Sequence, residues 1–208
     1  GGKFAKPALI DQVISFEGFN FLTAADLNQD NYIDIVVRKN GNLSWYKNKR
    51  DGSFEPAAII AQYGGKLGTG DFDFDGDIDF VSLDGKFDLY TNDGNANFSV
   101  RTIIKIDNIG IFDFQAADFD GDQDLDLVIS SKIDAYNIIS WYENTASGLW
   151  KNHEIYNEEG IEANFLEVGD LDEDGDMDVV FFNESFNKIA WFENRFNYPT
   201  ISGTVYWD

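Results

Sequence analysis

The chain has 208 residues, of which 43% are hydrophobic and 16% aromatic, so it can bury the core of one domain or of two small ones. Its formal net charge of −23 at pH 7 argues against nucleic acid and anionic membrane surfaces as partners. It contains no cysteine, which excludes disulfides and thiolate metal sites. No apolar run approaches the ~18 residues of a membrane-spanning helix, so we expect no membrane insertion.

Four runs of acidic residues stand out because polar side chains occupy alternate positions in each of them. The runs begin at Asp26, Asp71, Asp118 and Asp170, so their starts are 45, 47 and 52 residues apart. Oxygen ligands at alternate positions of a tight loop suit a hard divalent cation, and a period of about 40–50 residues is typical of a propeller blade. The alternate positions are Asp26, Asn28, Asp30, Tyr32 and Asp34 in the first run, Asp71, Asp73, Asp75, Asp77 and Asp79 in the second, Asp118, Asp120, Asp122, Asp124 and Asp126 in the third, and Asp170, Asp172, Asp174, Asp176 and Asp178 in the fourth.

The segments around each acidic run predict four strands per repeat. An alternating segment that ends in a small residue precedes the run, and a β-branched or aromatic segment follows it. A turn rich in Gly, Asn and Asp leads to a third strand that closes with an asparagine, and in three repeats an aromatic residue opens a fourth strand six residues later. Helical periodicity is not evident. Four repeats of a four-stranded antiparallel unit predict an all-β fold, a β-propeller.

The N-terminus repeats part of this unit. Residues 3–10 have the content and spacing of a fourth strand, whereas the last repeat supplies only three strands, which end at Asn194. We therefore predict that residues 3–10 complete the last blade, bury Leu9 against it and close a four-bladed ring without an exposed edge. The alternative is that the chain is a segment of a larger propeller of seven or eight blades.

The domain organisation follows from this interpretation. Residues 1–196 are predicted to form the propeller, with the N-terminal strand completing the last blade. Residues 197–208 fit no strand of the repeat, and we predict that they are a linker or the start of a following β-sandwich module. The propeller is thus expected to belong to a larger multidomain chain.

The acidic runs are predicted to bind calcium, up to four ions in total. In such a loop the side chains at positions 1, 3, 5 and 9 and the carbonyl of position 7 converge on one cation, and a glycine at position 6 allows the sharp turn. The second and fourth loops have Gly76 and Gly175 at position 6, whereas the third has Gln123. The first loop has Asn31 there and a neutral ligand, Asn28, so it is expected to bind more weakly.

Two other metal sites do not fit these loops. An EF-hand requires a bidentate glutamate at position 12 on a helix. Position 12 is instead Val37, Ser82, Ile129 or Phe181, each in a predicted strand. Magnesium is disfavoured because the ligand set is too rich and too flexible for its octahedral geometry.

With these positions established, the chain resembles the FG-GAP/VCBS repeat family of calcium-loop propellers, which is related to the integrin alpha-subunit head. The stretches that carry the resemblance are Ala117–Val128 and Ile139–Asn144, and the similarity extends over residues 1–194. It implies a secreted or surface-displayed module for adhesion or ligand binding, commonly within large bacterial proteins. Members often have seven blades. A fold does not identify a ligand.

The residue inventory favours a binding module over an enzyme. The only histidine, His153, and the absence of cysteine exclude the usual nucleophilic triads. Trp45, Trp141 and Trp191 share a repeat position with Leu89, which indicates core packing and not a ligand platform. We expect a non-enzymatic extracellular or cell-surface module with a protein or carbohydrate ligand. The alternative is an accessory or scaffold domain of a larger secreted enzyme.

Overall fold

A computed structural model describes residues 7–11, 21–62, 65–106, 109–145, 147–159, 163–184 and 187–195. These residues form fifteen β-strands. Within the described ranges there is no helix, and hence none that is long and apolar enough to cross a membrane.

The strands form four antiparallel sheets, each built from consecutive segments of the chain. The first sheet contains β1 (Phe21–Ala25), β2 (Asp34–Lys39), β3 (Asn42–Tyr46) and β4 (Ala58–Gln62), and the second contains β5 (Lys66–Gly70), β6 (Asp79–Leu83), β7 (Lys86–Asn92) and β8 (Phe98–Lys105). The third contains β9 (Gly110–Ala117), β10 (Asp126–Ile133), β11 (Tyr136–Asn144) and β12 (Trp150–Glu159), and the fourth contains β13 (Ala163–Gly169), β14 (Asp178–Asn183) and β15 (Lys188–Phe192). The sheets are the blades of a four-bladed β-propeller, as the repeat pattern predicted.

The turns between strands and the register of the sheets recur at equivalent positions of the repeats. The acidic loops connect the first strand of each blade to the second. Asn40 and Gly41 join β2 to β3 with φ values of 51° and 72°, the left-handed pair that a tight hairpin requires. Between the third and fourth strands, the register shifts at the same repeat position in three blades, after Leu43, Phe87 and Ile139. This shift changes the direction of the outer strand in these three blades.

The hydrophobic core lies between the blades, in three clusters. Alternate residues of each second strand face opposite neighbours. In β10, for example, Leu127 packs toward the second blade and Val128 toward the fourth. The shared tryptophan position behaves as core in the third blade, where Trp141 is 5% exposed, and in the second blade Leu89 is fully buried.

The asparagine that closes the third strand connects neighbouring blades. The side chain Nδ2 of Asn92 donates to the carbonyl oxygen of Leu27 in the preceding blade, at 2.9 Å. Asn144 donates to Phe72 in the same way, and Asn194 donates to Phe119, again at 2.9 Å. We call these three residues the interblade asparagines.

The N-terminal strand prediction falls partly on residues outside the described ranges. Residues 7–11 are described and form no strand. Leu9 is 81% exposed, so its predicted burial is not observed. Asp11 instead accepts hydrogen bonds from the Nζ of Lys39 and the hydroxyl of Tyr46 in the first blade. Completion of the last blade by residues 3–10 stays a prediction, and residues 197–208 lie outside the described ranges.

Asn144→Ala should destabilise the fold by about 1–3 kcal/mol, because it leaves a buried carbonyl of the preceding blade without its donor. Asn48→Ala is the matched control. Its Nδ2 donates to Ile33 within its own blade, at an exposed site, so the loss should be smaller. Chemical denaturation of both variants in calcium would measure the difference. Equal losses would mean that the interblade bond contributes nothing beyond the local one.

Candidate metal centre

The acidic loops are held by hydrogen bonds from their own backbone. In the second loop, the carboxylate of Asp71 accepts the N–H of Asp75 at 3.1 Å and that of Gly76 at 2.9 Å. Asp75 in turn accepts the N–H of Asp77 at 2.9 Å. The first, third and fourth loops use the same two acceptor positions, which are Asp26, Asp30, Asp118, Asp122, Asp170 and Asp174. The first and fifth positions are therefore fixed relative to the backbone.

Position 6 has left-handed backbone geometry in all four loops. The φ values are 90° at Gly76 and 96° at Gly175, as the glycines predicted. Asn31 and Gln123 adopt 65° and 79° at the same position. Asparagine tolerates this region better than glutamine does, so Gln123 is the more strained of the two.

The aspartate at position 9 is completely buried in every loop. Asp34, Asp79, Asp126 and Asp178 each have 0% exposure. In the second loop, Asp79 accepts the N–H of Phe72 at 2.9 Å and that of Asn92 at 2.8 Å. Burial raises the pKa of Asp79 and of Asp126 to about 7, even though these hydrogen bonds oppose the shift. Burial also raises the pKa of Asp178.

Three loops bring three carboxylates together. In each triad, one oxygen per residue lies within 4.8 Å of the others. The triads are Asp71, Asp73 and Asp79 in the second loop, Asp118, Asp120 and Asp122 in the third, and Asp170, Asp172 and Asp178 in the fourth. Desolvation and then repulsion from Asp122 raise the pKa of Asp120 to about 6. Desolvation and then repulsion from a neighbouring aspartate likewise raise the pKa of Asp73 and of Asp172.

The first loop differs because basic side chains reach it from elsewhere in the blade. One oxygen of Asp30 lies 3.2 Å from Arg50 and 3.6 Å from Lys47. Desolvation raises the pKa of Asp30, but the hydrogen bond from Arg50 and the nearby positive charges outweigh it and hold the pKa low. The Arg50 guanidinium also lies 4.9 Å from the centre of the Tyr32 ring. Sequence reasoning missed Arg50, which belongs to the turn after β3 and has no equivalent in the other loops.

Position 7 was predicted to offer its backbone carbonyl. In the second loop, the side chain of this residue, Asp77, is 7% exposed and accepts a hydrogen bond from Gln29 of the first loop. The two loops therefore contact each other directly. Tyr32, Asp124 and Asp176 hold the equivalent position, and the carbonyl role of all four residues stays a prediction.

The donor set fits a hard, oxygen-binding cation. Each of the three triads concentrates negative charge, and burial, followed by repulsion from a neighbouring aspartate, raises the pKa of Asp73, Asp120 and Asp172. In the first loop, the Oδ2 of Asp34 is buried without a hydrogen-bond partner, which is costly unless another group compensates it. Calcium accepts six to eight oxygens in flexible geometry, so it would satisfy these groups. Positions 1, 3, 5 and 9 would hold the ion through their side chains.

A profile of the FG-GAP-like repeat matches the chain over three overlapping stretches, residues 26–82, 71–129 and 118–181. These stretches span more than half of the 208 residues. The chain belongs to the FG-GAP-like repeat family. Each matched stretch of this family begins at the first aspartate of an acidic loop and ends in the second strand of the next blade.

Two solved structures have a similar fold. A lectin of Agrocybe aegerita, described for its specific recognition of non-reducing terminal N-acetylglucosamine, superposes with a TM-score of 0.60 and 17% identity, over 86% of this chain and 50% of that chain. A bifunctional GH43-CE protein of Bacteroides eggerthii superposes with a TM-score of 0.51 and 15% identity, over 84% of this chain and 24% of that chain. The present chain thus spans half or less of either protein. No curated protein matches it.

The calcium-free chain should become less stable as pH rises from about 4 to about 7. In this window, folded Asp79 and Asp126 retain protons that their unfolded counterparts, with a pKa of 3.8, have lost. With calcium the slope should reverse, because the ion requires deprotonated carboxylates. Melting temperatures of metal-stripped and calcium-loaded protein at pH 5, 6, 7 and 8 would test this. Parallel pH profiles would contradict it.

The first and fourth loops should respond differently to removal of the carboxylate at position 5. Asp174→Asn should remove one bound ion and its stabilisation, about 2.7 kcal/mol when calcium exceeds Kd a hundredfold. Asp30→Asn, the matched change in the first loop, should cost less, because Arg50 already competes for this carboxylate. Metal counting by native mass spectrometry, with melts in calcium, would rank the loops. A larger loss at the first loop would refute the ranking.

Proposed function

We propose that this chain is a calcium-stabilised, non-enzymatic binding module of a secreted or cell-surface protein, and that its ligand is a glycan. The proposal of a glycan ligand rests on a cavity between the third and fourth blades. The calcium part rests on the acidic loops, which hold 18 of the 38 acidic residues at their alternate positions. Loops of modest affinity fill reliably where calcium is millimolar, outside the cell.

The cavity has a volume of about 240 Å³. It is smaller than the sites of ~300–1,000 Å³ that hold drug-sized ligands, and it suits a single sugar ring. Its apolar lining comes from both blades and includes Phe119, Ile155, Met177 and Phe192. An apolar wall of this kind can pack against the C–H face of a sugar.

Polar groups line the same cavity. Glu154 and Glu193 supply carboxylates and Asn194 supplies its amide oxygen, all of which can accept hydrogen bonds from hydroxyls. His153 also lines the cavity and stacks on Trp141, with ring centres 4.3 Å apart. A few placed polar groups over an apolar wall are typical of small-ligand sites. The Agrocybe lectin with the same fold recognises terminal N-acetylglucosamine, which supports the same ligand class here.

The environment of His153 supports a binding role over catalysis. Its Nε2 lies 2.6 Å from an oxygen of Glu143, which Lys151 also contacts at 3.0 Å. With its ring against Trp141, the histidine is engaged in packing and in a hydrogen bond with Glu143. We therefore assign it no role as general base.

A second candidate function is an accessory domain within a larger secreted enzyme. The observation that favours it is the likeness to 24% of a bifunctional GH43-CE protein. In that setting the cavity would hold the protein on its substrate and a neighbouring domain would carry out the reaction. Glycan binding is common to both candidates, and the flanking sequence distinguishes them.

A glycan array that includes oligosaccharides ending in N-acetylglucosamine, probed with calcium-loaded and metal-stripped chain, tests the proposal. Binding is expected with calcium and should weaken when metal is removed. Ile155→Trp, which fills the cavity, should lower the affinity at least ~10-fold, a change of about 1.4 kcal/mol. Ile59→Trp, on an exposed outer strand of the first blade, is the control. Absence of glycan binding, or full binding by the filled variant, would refute the assignment.

A further inference from the structure

We propose that the first two acidic loops are coupled, so that an ion in the second loop orders the first loop through a contact between Asp77 and Gln29. The proposal rests on the calcium part of the proposed function and is independent of the glycan cavity. The residues concerned, 26–34, 71–79 and 92–97, belong to the first and second blades, and all of them lie within the described ranges.

Asp77 holds position 7 of the second loop, and its side chain lies against the first loop. It is 7% exposed, and its Oδ1 accepts a hydrogen bond from the Nε2 of Gln29, at position 4 of the first loop. A carboxylate with so little exposure is costly unless it is hydrogen-bonded. The bond forms only when both loops hold their observed conformations.

Asp77 also packs against the backbone of Gly94, in the turn between β7 and β8. A Cβ at Gly94 would lie 2.7 Å from the Oδ2 of Asp77 and 3.1 Å from its Oδ1. The φ of Gly94 is 72°, in the left-handed region that favours glycine. The carboxylate is thus confined between the first loop and this turn.

The turn that contains Gly94 holds the first loop as well. The Nδ2 of Asn92 and the N–H of Ala96 both donate to the carbonyl oxygen of Leu27, at 2.9 Å and 3.1 Å. Leu27 and Gln29 are the neighbours of Asn28, the candidate ligand at position 3. The second blade therefore anchors the residues on both sides of this ligand.

The backbone of Gln29 depends on contacts of this kind. Its φ is 51°, in the left-handed region. A non-glycine residue is strained there, and such a conformation persists only where surrounding contacts offset the strain. The bond to Asp77 is such a contact. Without it, the first loop loses an interaction that favours its ordered conformation.

Within the second loop, hydrogen bonds connect Asp77 to the candidate ligands. Its N–H donates to Asp75 at 2.9 Å, and the N–H of Asp75 donates to Asp71 at 3.1 Å. Asp79, the ligand at position 9, follows two residues later. An ion held by these three aspartates would restrict the backbone on both sides of Asp77 and keep its carboxylate against Gln29. Binding in one loop then lowers the entropy cost of ordering the other, which is positive coupling.

The first pair of loops has a side-chain donor that the later pairs lack. Position 4 is Phe74 in the second loop and Gly121 in the third, and neither side chain can donate a hydrogen bond. Asp124 and Asp176, at position 7 of the following loops, therefore cannot form the equivalent bond. The first loop has three carboxylates at its alternate positions, whereas the others have five. The contact thus supports the loop whose own ligand set is weakest.

Hydrogen exchange in the first loop tests the proposal. The experiment uses the full chain with Asp30→Asn, which removes the position 5 ligand of the first loop, and native mass spectrometry counts the ions. Calcium should slow exchange of the first-loop amides at least ~5-fold, because the second loop is filled. Asp75→Asn, which removes the equivalent ligand of the second loop, should abolish the slowing.

Variants of the contact itself separate it from general stabilisation by calcium. Gln29→Met removes the donor without altering a ligand of any loop, and Asp77→Ala removes the acceptor. Each should abolish the slowing in the first loop. Gln62→Met, the same change at an exposed residue that ends β4, is the matched control and should retain the slowing.

Three results would overturn the proposal. They are exchange in the first loop that calcium does not change, slowing that persists in Asp75→Asn or Gln29→Met, and an equal loss of slowing in the control. The ion count separates this proposal from the proposed function. A chain that binds no calcium overturns both, whereas a filled second loop without slower exchange in the first overturns the coupling alone.

Discussion

The structure depends on one buried carboxylate per blade, the aspartate at position 9 of the acidic loop. A carboxylate without exposure costs several kcal/mol unless it is hydrogen-bonded or paired. In the second, third and fourth blades it accepts one N–H from the start of the loop and one from the asparagine that closes the third strand. The acid therefore joins the loop and the second and third strands at a single point. A bound cation would supply the compensation that the hydrogen bonds leave incomplete.

The residue at position 2 connects this point to the next blade. The side chain of Phe72 packs into the cluster between the second and third blades, and its N–H donates to Asp79. Its carbonyl accepts from Asn144 of the following blade. One residue thus belongs to the loop, to the core and to the interblade contact. Ordering of an acidic loop is therefore coupled to formation of the contact with the next blade. Stability is shared between neighbouring blades, as in other repeat proteins.

Most of the fold could be predicted from the sequence, because the same pattern of residues recurs in each repeat. The strands and the candidate metal ligands could be predicted from three features: the period-two alternation, the equal spacing of the acidic loops and the asparagine that recurs at the end of each third strand. Features that arise between distant segments could not be found in this way. Arg50 reaches the first loop only because the chain turns back after β3, and the left-handed geometry of Gln123 opposes the usual preference of that residue. The predicted burial of Leu9 relied on spacing alone, whereas Asp11 binds the first blade through polar contacts that no repeat pattern contains.

The apolar packing between neighbouring blades also affects how such chains can gain or lose repeats. Each stretch matched by the family profile runs from one acidic loop into the second strand of the following blade, so it contains a junction and not a single sheet. Duplicating such a stretch copies apolar residues from both sides of a junction, such as Leu27 and Phe80, whereas the asparagine that donates across that junction, Asn92, lies beyond the stretch. A blade added by that route arrives with its neighbour's contacts already encoded. Propellers of this type can therefore change length without first evolving a new interface.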